Sequence, residues 1–280
     1  QLIYFWIYLK QIIYFDFKSQ TYCKNYINFT SPQIVITFND ARYQMFELKK
    51  SFKHLYFISV INGVRPEYWF QSRKKLWPKK LSCDYFFILN KFYMPKYKML
   101  LNSKFVVHGH FRNNLVKIKK TKFPKQFLYL SQVHDSALTG IDYEELNHKK
   151  KFLNFVNLYL SISKKKLHIL LRRSKTNPRQ SFEIDFYKNI FKSNCVFHQS
   201  TNWKKKYEII DKFENIIFTT STMGYEALAR KKKIACLGPQ GFRGHNHYFG
   251  WPDKNSKKYN FFSTKETTYK EVSRVLNNIN

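Results

Sequence analysis

Hydroxyls, a glycine and a carboxylate lie together in the segment 215–238, NIIFTTSTMGYEALARKKKIACLG, which predicts a strand, a turn, a helix and a second strand. In a parallel α/β sheet, ligands bind beyond the carboxyl ends of the strands, where free N–H groups and the helix dipole favour a diphosphate. We therefore expect Ser221, Thr222 and Gly224 to face the phosphates of a nucleotide. Glu226, one turn into the helix, would accept hydrogen bonds from ribose hydroxyls. Ordinary capping of a strand–helix junction is the alternative explanation.

Two earlier strand ends in the second half of the chain also bear polar and basic residues. Ser131 and Gln132 follow one apolar run, and Arg172, Arg173, Ser174 and Lys175 follow the next. The planar guanidinium of arginine can donate two parallel hydrogen bonds to a phosphate. A single arginine in so basic a protein is more often a solvated surface charge. Here, however, three strand ends of the same domain all bear polar or basic residues. We therefore predict that these strand ends bind one phosphorylated ligand.

Strand ends in the first half of the chain bear polar residues as well. They are Asn39 and Asp40, then Asn62, Gly63 and Arg65, then His108, His110, Arg112 and Asn113. Because the carboxyl ends of parallel strands meet at one edge of a sheet, these residues would line a second surface. The sequence therefore predicts a cleft with polar residues on both sides.

Apolar runs alternate with helix-like segments along the whole chain, which indicates βαβ units and parallel sheets. The predicted strands are 34–38, 55–61, 85–89, 104–107, 127–130, 167–171, 196–198, 216–218 and 234–237. The predicted helices are 41–50, 95–101, 143–160, 182–191, 203–210 and 226–230, and 65–80 is expected to be irregular. We predict the α/β class with two facing Rossmann-like domains, residues 1–118 and 122–280.

Composition indicates a folded and strongly basic protein. Of 280 residues, 44% are hydrophobic and 19% aromatic, which is too apolar for a disordered chain. The net charge of +32 would attract nucleic acid, an anionic membrane or phosphorylated substrates. We expect AT-biased coding to explain most of this charge. Nucleic acid is the unlikely partner, because no zinc-finger spacing, basic zipper or RNP-like aromatic pattern is present.

Cysteine and histidine spacing predicts neither disulfides nor a bound metal. Cys23, Cys83, Cys195 and Cys236 form no CxxC pair, which is typical of a reducing compartment and favours a cytoplasmic location. His245 and His247 resemble a metal pair, but no third ligand stands at a defined spacing. We therefore expect no metal.

The first residues, 2–17, are apolar but are interrupted by Lys10, Gln11 and Asp16. The segment is shorter than the ~20 residues of a spanning helix and has no signal-peptide cleavage site. We predict a buried helix, or the remainder of an α/β unit whose first strand is missing. A membrane-interface role is the second interpretation, because aromatic residues mixed with lysine suit lipid headgroups.

Several segments resemble bacterial surface-polysaccharide, O-antigen-type biosynthesis proteins of the GT-B glycosyltransferase architecture. They are STMGYEALA at 221–229, GHFRNN at 109–114, NGVR at 62–65, FGWP at 249–252 and NFFS at 260–263. The resemblance extends from about Ile34 onward and is most specific in the last third. The chain departs from the family pattern in its N-terminal α/β unit, which we expect to be incomplete.

This resemblance implies transfer of a sugar from a nucleotide-sugar donor, without a bound metal, to a lipid-linked or lipopolysaccharide acceptor. It implies that Ser221, Thr222, Gly224 and Glu226 lie in the donor pocket. The first domain would bind the acceptor through Asn62, Gly63, Arg65, Arg112 and Asn113, at the cytoplasmic face of an anionic inner membrane.

The chemistry requires charge stabilisation and a base. Arg172, Lys175 and fixed dipoles would stabilise the leaving diphosphate in place of a metal. Asp40, His108 and His110 are the candidate bases, but Asp40 is as readily a helix cap and the histidines are as readily loop packing residues. A CDP-linked glycerophosphotransferase, a nucleic-acid-binding protein and a noncatalytic remnant stay open as alternatives.

Overall fold

The chain folds into two compact α/β units in the computed structural model, which describes residues 2–13, 19–65, 67–77, 80–133, 143–237, 262–264 and 266–280. One unit consists of Gln1–Val64 and Trp69–His110, and the other of Arg65–Tyr68 and Phe111–Asn280. Each unit has one all-parallel sheet flanked by helices, so the predicted α/β class is confirmed. The sequence prediction put the end of the first domain at residue 118.

The first sheet has four parallel strands in chain order, β1-β2-β3-β4. These strands are β1 Ile34–Thr37, β2 Tyr56–Val60, β3 Leu81–Ile88 and β4 Leu101–Val107. The helices of this half are α1 Leu2–Ile13, α2 Ser19–Thr30, α3 Tyr43–Ser51, α4 Glu67–Leu76 and α5 Met94–Lys98, with a 3₁₀ turn at Lys91–Tyr93 before α5. All four strands predicted for this half are confirmed, with their ends shifted by a few residues.

Aromatic side chains attach three helices to a single face of the first sheet. The ring of Phe86 on β3 lies 6.3 Å from Phe46 of α3 and 4.6 Å from Tyr97 of α5. Phe70 of α4 lies 5.0 Å from Tyr97. Right-handed crossovers between strands that follow one another in chain order place every connecting helix on the same side. The packing of α3, α4 and α5 on the Phe86 face therefore follows from the handedness of the crossovers.

One prediction for the first half is wrong. The segment 65–80, expected to be irregular, contains α4, and its apolar residues Trp69, Phe70 and Trp77 fall at helical spacing. The first segment contains the predicted helix as α1, and among its side chains that the structure describes, Ile7 and Gln11 are buried. Its Tyr4, Phe5 and Trp6 are each more than half exposed.

The second sheet has five parallel strands in the order β7-β6-β5-β8-β9. These strands are β5 Phe123–Leu130, β6 Leu167–Leu170, β7 Cys195–His198, β8 Phe213–Phe218 and β9 Lys233–Cys236. The helices are α6 Phe111–Asn114, α7 Tyr143–Ile162, α8 Gln180–Phe191, α9 Trp203–Asp211, α10 Thr222–Ala229 and α11 Tyr269–Ile279. All five predicted strands are confirmed, and their order, 3-2-1-4-5 in chain order, is that of the first five strands of a Rossmann fold.

Buried apolar side chains cover both faces of the second sheet. One cluster includes Tyr129, Ile169 and Ile217 with residues of α7, α8 and α11. The other includes Leu128, Leu170 and Ile216 with residues of α9 and α10. Neighbouring residues of one strand therefore belong to opposite clusters, as the alternation of side chains along a buried strand requires.

A buried ion pair fastens the segment before β5 to the second unit. Asp211 at the end of α9 accepts from the guanidinium of Arg230, with 2.8 Å between Oδ1 and Nε, and both side chains are almost fully buried. Arg230 also donates to the carbonyl of Val116 at 3.0 Å and to Oδ1 of Asn113 at 3.1 Å. Asp211 accepts from the backbone N–H of Lys119 at 2.9 Å. Residues 113–119 thus pack against α9 and α10.

We expect Asp211→Asn to destabilise the protein by about 3–5 kcal/mol, because the substitution leaves the Arg230 guanidinium buried beside a neutral partner. Urea denaturation followed by circular dichroism measures this change. The double variant Asp211→Leu/Arg230→Met should recover part of the loss.

Glu214→Gln is the matched control, since it breaks the half-exposed pair with Lys233 and should change the unfolding free energy by less than about 1 kcal/mol. An Asp211→Asn variant as stable as this control would contradict the role of the buried pair.

Candidate functional site

The second sheet reverses its strand order between β5 and β8, and polar residues follow both strands at that point. The chain leaves β5 toward β6 on one side and leaves β8 toward β9 on the other, so the crossover helices diverge. Ligands of doubly wound sheets bind in the crevice that this divergence opens. Thr220 after β8 donates from Oγ1 to Oε1 of Gln132 after β5, over 2.7 Å. The structure therefore brings two of the predicted strand ends together.

Ser131 and Arg173, both predicted to bind a ligand, contact a buried carboxylate of the protein. Glu183 of α8 is fully buried and accepts from the Ser131 hydroxyl. It also accepts from the backbone N–H of Arg172 at 2.9 Å and from Nη1 of Arg173 at 3.4 Å. Tyr187 donates to the Ser131 hydroxyl at 2.9 Å. These contacts give Ser131 and Arg173 a structural role in joining the ends of β5 and β6.

Arg172 and Lys175 differ from Arg173 because their side chains are exposed. They follow β6 on the short segment that leads to α8. Exposed cations at this edge can pair with a bound anion, whereas Arg173 is committed to Glu183. Of the three predicted cations, two thus have the exposure that ligand binding requires.

Two lysines that the sequence analysis missed lie at the same edge. Lys149 of α7 is 2% exposed and donates to the backbone carbonyl of Gln132 at 2.6 Å. Lys206 of α9 donates to the backbone carbonyl of Arg172 at 2.8 Å. Burial lowers the pKa of Lys206, and the nearby Arg172 lowers it further while Glu183 raises it. A helical wheel of the Lys149–Lys151 and Lys204–Lys206 clusters would have shown that one lysine of each faces the sheet.

Helix α10 begins directly after this edge. Ser221 is its N-cap, with extended backbone angles, and its hydroxyl accepts from the backbone N–H of Met223 at 3.2 Å. Thr222 is the first helical residue and is half-buried. The capping expected as the alternative is therefore present. It also orients the positive end of the helix dipole toward the crevice, where it favours an anion.

Gly224 serves packing between α10 and β8. A Cβ added at Gly224 would lie 2.3 Å from Cγ of the Phe218 ring, well inside van der Waals contact. The missing side chain thus makes room for a core ring, and the helix can approach the strand closely. The expectation that Gly224 faces the phosphates of a nucleotide stays a prediction.

Glu226 is buried between two helices and accepts a hydrogen bond from the hydroxyl of Tyr207 on α9. Burial raises the pKa of Glu226 to about 7, although the Tyr207 hydrogen bond and the charges of Arg112 and Arg230 act to lower it. Burial and the carboxylate of Glu226 together raise the pKa of Tyr207. Tyr207 is therefore a further residue of this site that sequence reasoning missed.

Arg112 and Asn113, predicted to belong to the first domain, pack within the second unit. The reason is Arg230, which donates to Asn113 Oδ1 and so holds the segment after His110 against α10. Arg112 is exposed and acts electrostatically on Glu226. Arg65 is also grouped with the second unit.

The remaining predicted residues follow strands of the first sheet. Asp40 is fully buried after β1 and accepts from the Tyr97 hydroxyl at 2.7 Å, so it does not cap α3, whose N-cap is Arg42. Asn62 is exposed after β2 and Gly63 is buried. His108 and His110 follow β4 and are half-buried, separated by Gly109, whose φ of 78° suits glycine.

Several features noted in the sequence fall outside the part of the chain that the structure describes. They are His245, His247, the FGWP motif at 249–252 and the first two residues of NFFS. Across the described ranges, no three His, Cys, Asp or Glu side chains are grouped as metal ligands would be. Across the same ranges, none of the helices has the length and apolar character needed to cross a membrane.

A family model described as "putative O-antigen biosynthesis protein" matches residues 58–280. The chain belongs to this family. The resemblance carried by the STMGYEALA, GHFRNN and NGVR segments is thereby confirmed. A search of curated proteins found no match to this O-antigen family member.

Solved structures share the fold of this O-antigen family member at low identity. The UDP-GlcNAc 2-epimerase of Methanocaldococcus jannaschii is 11% identical with a TM-score of 0.51, over 93% of this chain and 75% of that one. A Listeria monocytogenes protein titled as a UDP-N-acetylglucosamine 2-epimerase is 8% identical with a TM-score of 0.52, over 89% and 65%. S. aureus TarM, as a mutant crystallised with UDP, alpha-GlcNAc-glycerol and Fondaparinux, is 12% identical with a TM-score of 0.49, over 92% and 52%. The chain spans about half the length of TarM.

We expect Gly224→Ala to destabilise the protein by about 1–3 kcal/mol, because the new methyl group meets the Phe218 ring. The sign of the change in unfolding free energy is diagnostic, since a Gly→Ala substitution within an unobstructed helix stabilises a protein by about 0.5–1 kcal/mol. Urea denaturation measures the difference. Ala229→Leu, which adds volume at an exposed position of α10, is the control and should lie within about 0.5 kcal/mol of wild type. A stabilised Gly224→Ala variant would refute the packing role.

Glu226 makes a specific contribution to the pH dependence of stability. Its pKa is raised in the folded state from 4.5 to about 7, so the folded state binds the proton more tightly and loses stability as pH rises through this window. Glu226→Gln stays neutral and keeps an oxygen that can accept from Tyr207. We expect the unfolding free energy of Glu226→Gln, relative to wild type, to rise by about 3 kcal/mol between pH 4.5 and 8. A relative stability that is flat across this range would show that folding does not raise the pKa of Glu226.

Proposed function

We propose that this O-antigen family protein transfers a sugar from a nucleotide-sugar donor to a lipid-linked or lipopolysaccharide acceptor. One observation carries the proposal: the strand-order reversal between β5 and β8 coincides with exposed cations and with the N-terminus of α10. Family membership supports a role in surface-polysaccharide synthesis. The shared fold with epimerases that act on UDP-GlcNAc makes UDP the first nucleotide to test.

The proposed diphosphate site uses Arg172, Lys206 and the N-terminus of α10. As the bond between sugar and diphosphate breaks, negative charge builds on the leaving group. The exposed guanidinium of Arg172 and the half-buried ammonium of Lys206 would stabilise this charge, together with the N–H groups that follow Ser221. The exposed Lys175, on the segment that follows β6, would add to the positive electrostatic potential at this site. A leaving diphosphate that these cations stabilise needs no metal ion. We therefore propose a metal-independent reaction without a bound cofactor.

The proposed ribose contact uses Glu226 together with its neighbours. A carboxylate offers about four acceptor sites, so the Tyr207 hydrogen bond leaves capacity for a ribose hydroxyl. Gln132 follows β5 on the other side of the crevice and is hydrogen-bonded to Thr220, and we propose that it contacts the donor from that side. Three predicted residues support these contacts indirectly. Ser131 and Arg173 are hydrogen-bonded to the buried Glu183, and Gly224 lets α10 pack against Phe218.

The carboxyl edge of the first sheet supplies the acceptor side in this proposal. Asp40, His108 and His110 are its candidate bases, and Asn62 and Gly63 its candidate binding residues. The Asp40 carboxylate is buried and accepts a hydrogen bond from Tyr97, whereas His108 and His110 are half-buried. A general base must reach the acceptor hydroxyl, so partial exposure favours His108 or His110. Reaction at the cytoplasmic face of an inner membrane would supply a lipid-linked acceptor.

Calorimetric titration of the purified chain with UDP, GDP, CDP, CMP and dTDP tests the donor site. We expect saturable binding of one nucleotide, weakened about tenfold to a hundredfold by Arg172→Ala or Lys206→Ala, because a charge-assisted hydrogen bond contributes about 1.5–3 kcal/mol. Arg179→Ala and Lys188→Ala are matched controls at exposed positions and should leave the affinity within about twofold.

Other outcomes discriminate among the alternatives. Binding of CDP alone would favour a glycerophosphotransferase, and turnover of the matching CDP-linked donor would establish it. Binding of oligonucleotides alone, with a steep salt dependence, would refute the glycosyltransferase proposal. With a binding nucleotide in hand, release of free nucleoside diphosphate from its sugar conjugate reports transfer.

A further inference from the structure

Lys149 is a buried lysine at the edge where the second sheet reverses its strand order. The residue is 2% exposed, although lysine is among the residue types that are rarely fully buried. Its Nζ donates to the backbone carbonyl of Gln132 over 2.6 Å. Lys149 belongs to α7 and Gln132 follows β5, so this bond joins the helix to the segment that leaves the strand. Burying an ammonium has a desolvation cost, which such a hydrogen bond offsets in part.

Gln132 is held at its main chain and at its side chain. The preceding residue, Ser131, donates its backbone N–H to the carbonyl of Leu170 at 3.0 Å. The carbonyl of Gln132 accepts from Lys149, and its Oε1 accepts from Oγ1 of Thr220 at 2.7 Å. Thr220 follows β8, so the side chain of Gln132 extends across the point where the strand order reverses. These contacts fix both ends of the glutamine.

The arrangement leaves the amide nitrogen of Gln132 available to a ligand. A glutamine carboxamide has one oxygen acceptor and two N–H donors. The oxygen is used by Thr220, and within the part of the chain that the structure describes no protein group accepts from Nε2. Gln132 is half-buried at the crevice edge. The N–H groups would therefore recognise an oxygen acceptor, and a phosphate oxygen is a strong one.

We propose that Lys149 is a positioning residue of the donor site, which holds Gln132 so that its carboxamide donates to an oxygen of the nucleotide's diphosphate. The inference rests on the proposed function, because it assigns a role within the same crevice. With 2% of the residue exposed, Lys149 acts through Gln132 and does not touch the ligand. Misplacement of a binding group by even a small distance weakens its interaction, which is why a second residue that fixes it contributes to affinity.

A double-mutant cycle in nucleotide affinity tests the proposal. The full chain and its variants are titrated by calorimetry with UDP, GDP, CDP, CMP and dTDP, and the cycle uses the nucleotide that wild type binds. We expect Lys149→Met to weaken binding by about threefold to tenfold, because the lost hydrogen bond leaves Gln132 free to move. In the Gln132→Ala background the same substitution should change the affinity by less than about twofold, since the group that Lys149 positions is absent.

Lys150→Met is the matched control, because Lys150 is the exposed neighbour in the same lysine cluster. It removes an equal charge and should leave the affinity within about twofold of wild type. Thermal melting by circular dichroism checks the folding of each variant. If Lys149→Met does not fold, Lys149→Gln enters the same cycle. Its side chain is polar but shorter, and it should weaken binding by at least about threefold only when Gln132 is present.

Two results would overturn the inference. One is an unchanged affinity in a folded Lys149→Met variant. The other is an equal loss of affinity with and without the Gln132 side chain, which would assign Lys149 to general stability or to direct attraction of the ligand by its charge. A wild type that binds none of the five nucleotides would instead refute the donor site, and this role of Lys149 with it, so the two failures are distinguishable.

Discussion

The right-handed crossover between parallel strands is the constraint on which the helix arrangement of both sheets depends. In the second sheet the chain passes from β7 back to β8 on the other side of β5, so helices cover both faces and a crevice opens beside β5. In the first sheet the strands continue in one direction, so the helices gather on the Phe86 face. The same local handedness thus places helices on both faces of the second sheet and places α3, α4 and α5 on one face of the first.

Buried carboxylates organise the second unit. The chain has 18 acidic residues against 50 basic ones, and the buried carboxylates of Glu183 and Asp211 each pair with an arginine and accept from backbone N–H groups. Glu183 joins the ends of β5 and β6, and Asp211 holds the segment before β5. Glu226 binds Tyr207 of the neighbouring helix. Removing the carboxylate of Glu183 or Asp211 would leave the buried arginine beside it without a counter-charge, so these acids stabilise the contacts between the segments they join.

Most of the fold could be predicted from the sequence because buried parallel strands are short apolar runs. All nine predicted strands are present, and the polar residues that follow β5 and β8 lie at the edge where the strand order reverses. The roles within that edge could not be predicted. Arg172 and Arg173 are adjacent in sequence, yet one is exposed and the other is buried on Glu183. Lys149 and Lys206 stood within basic clusters, and only helix packing distinguishes them from their neighbours.

The sequence by itself determined the α/β class, the position of the strands and the chemical character of each strand end, because these depend on local apolar pattern and residue type. Only the tertiary structure decided which side chains are exposed, which sheet face the helices cover and which partner each charged group meets. These properties depend on strand order and on contacts between residues as distant as Asn113 and Arg230. Local pattern contains no information about such contacts, since long-range pairing is selected by packing and burial of the whole unit.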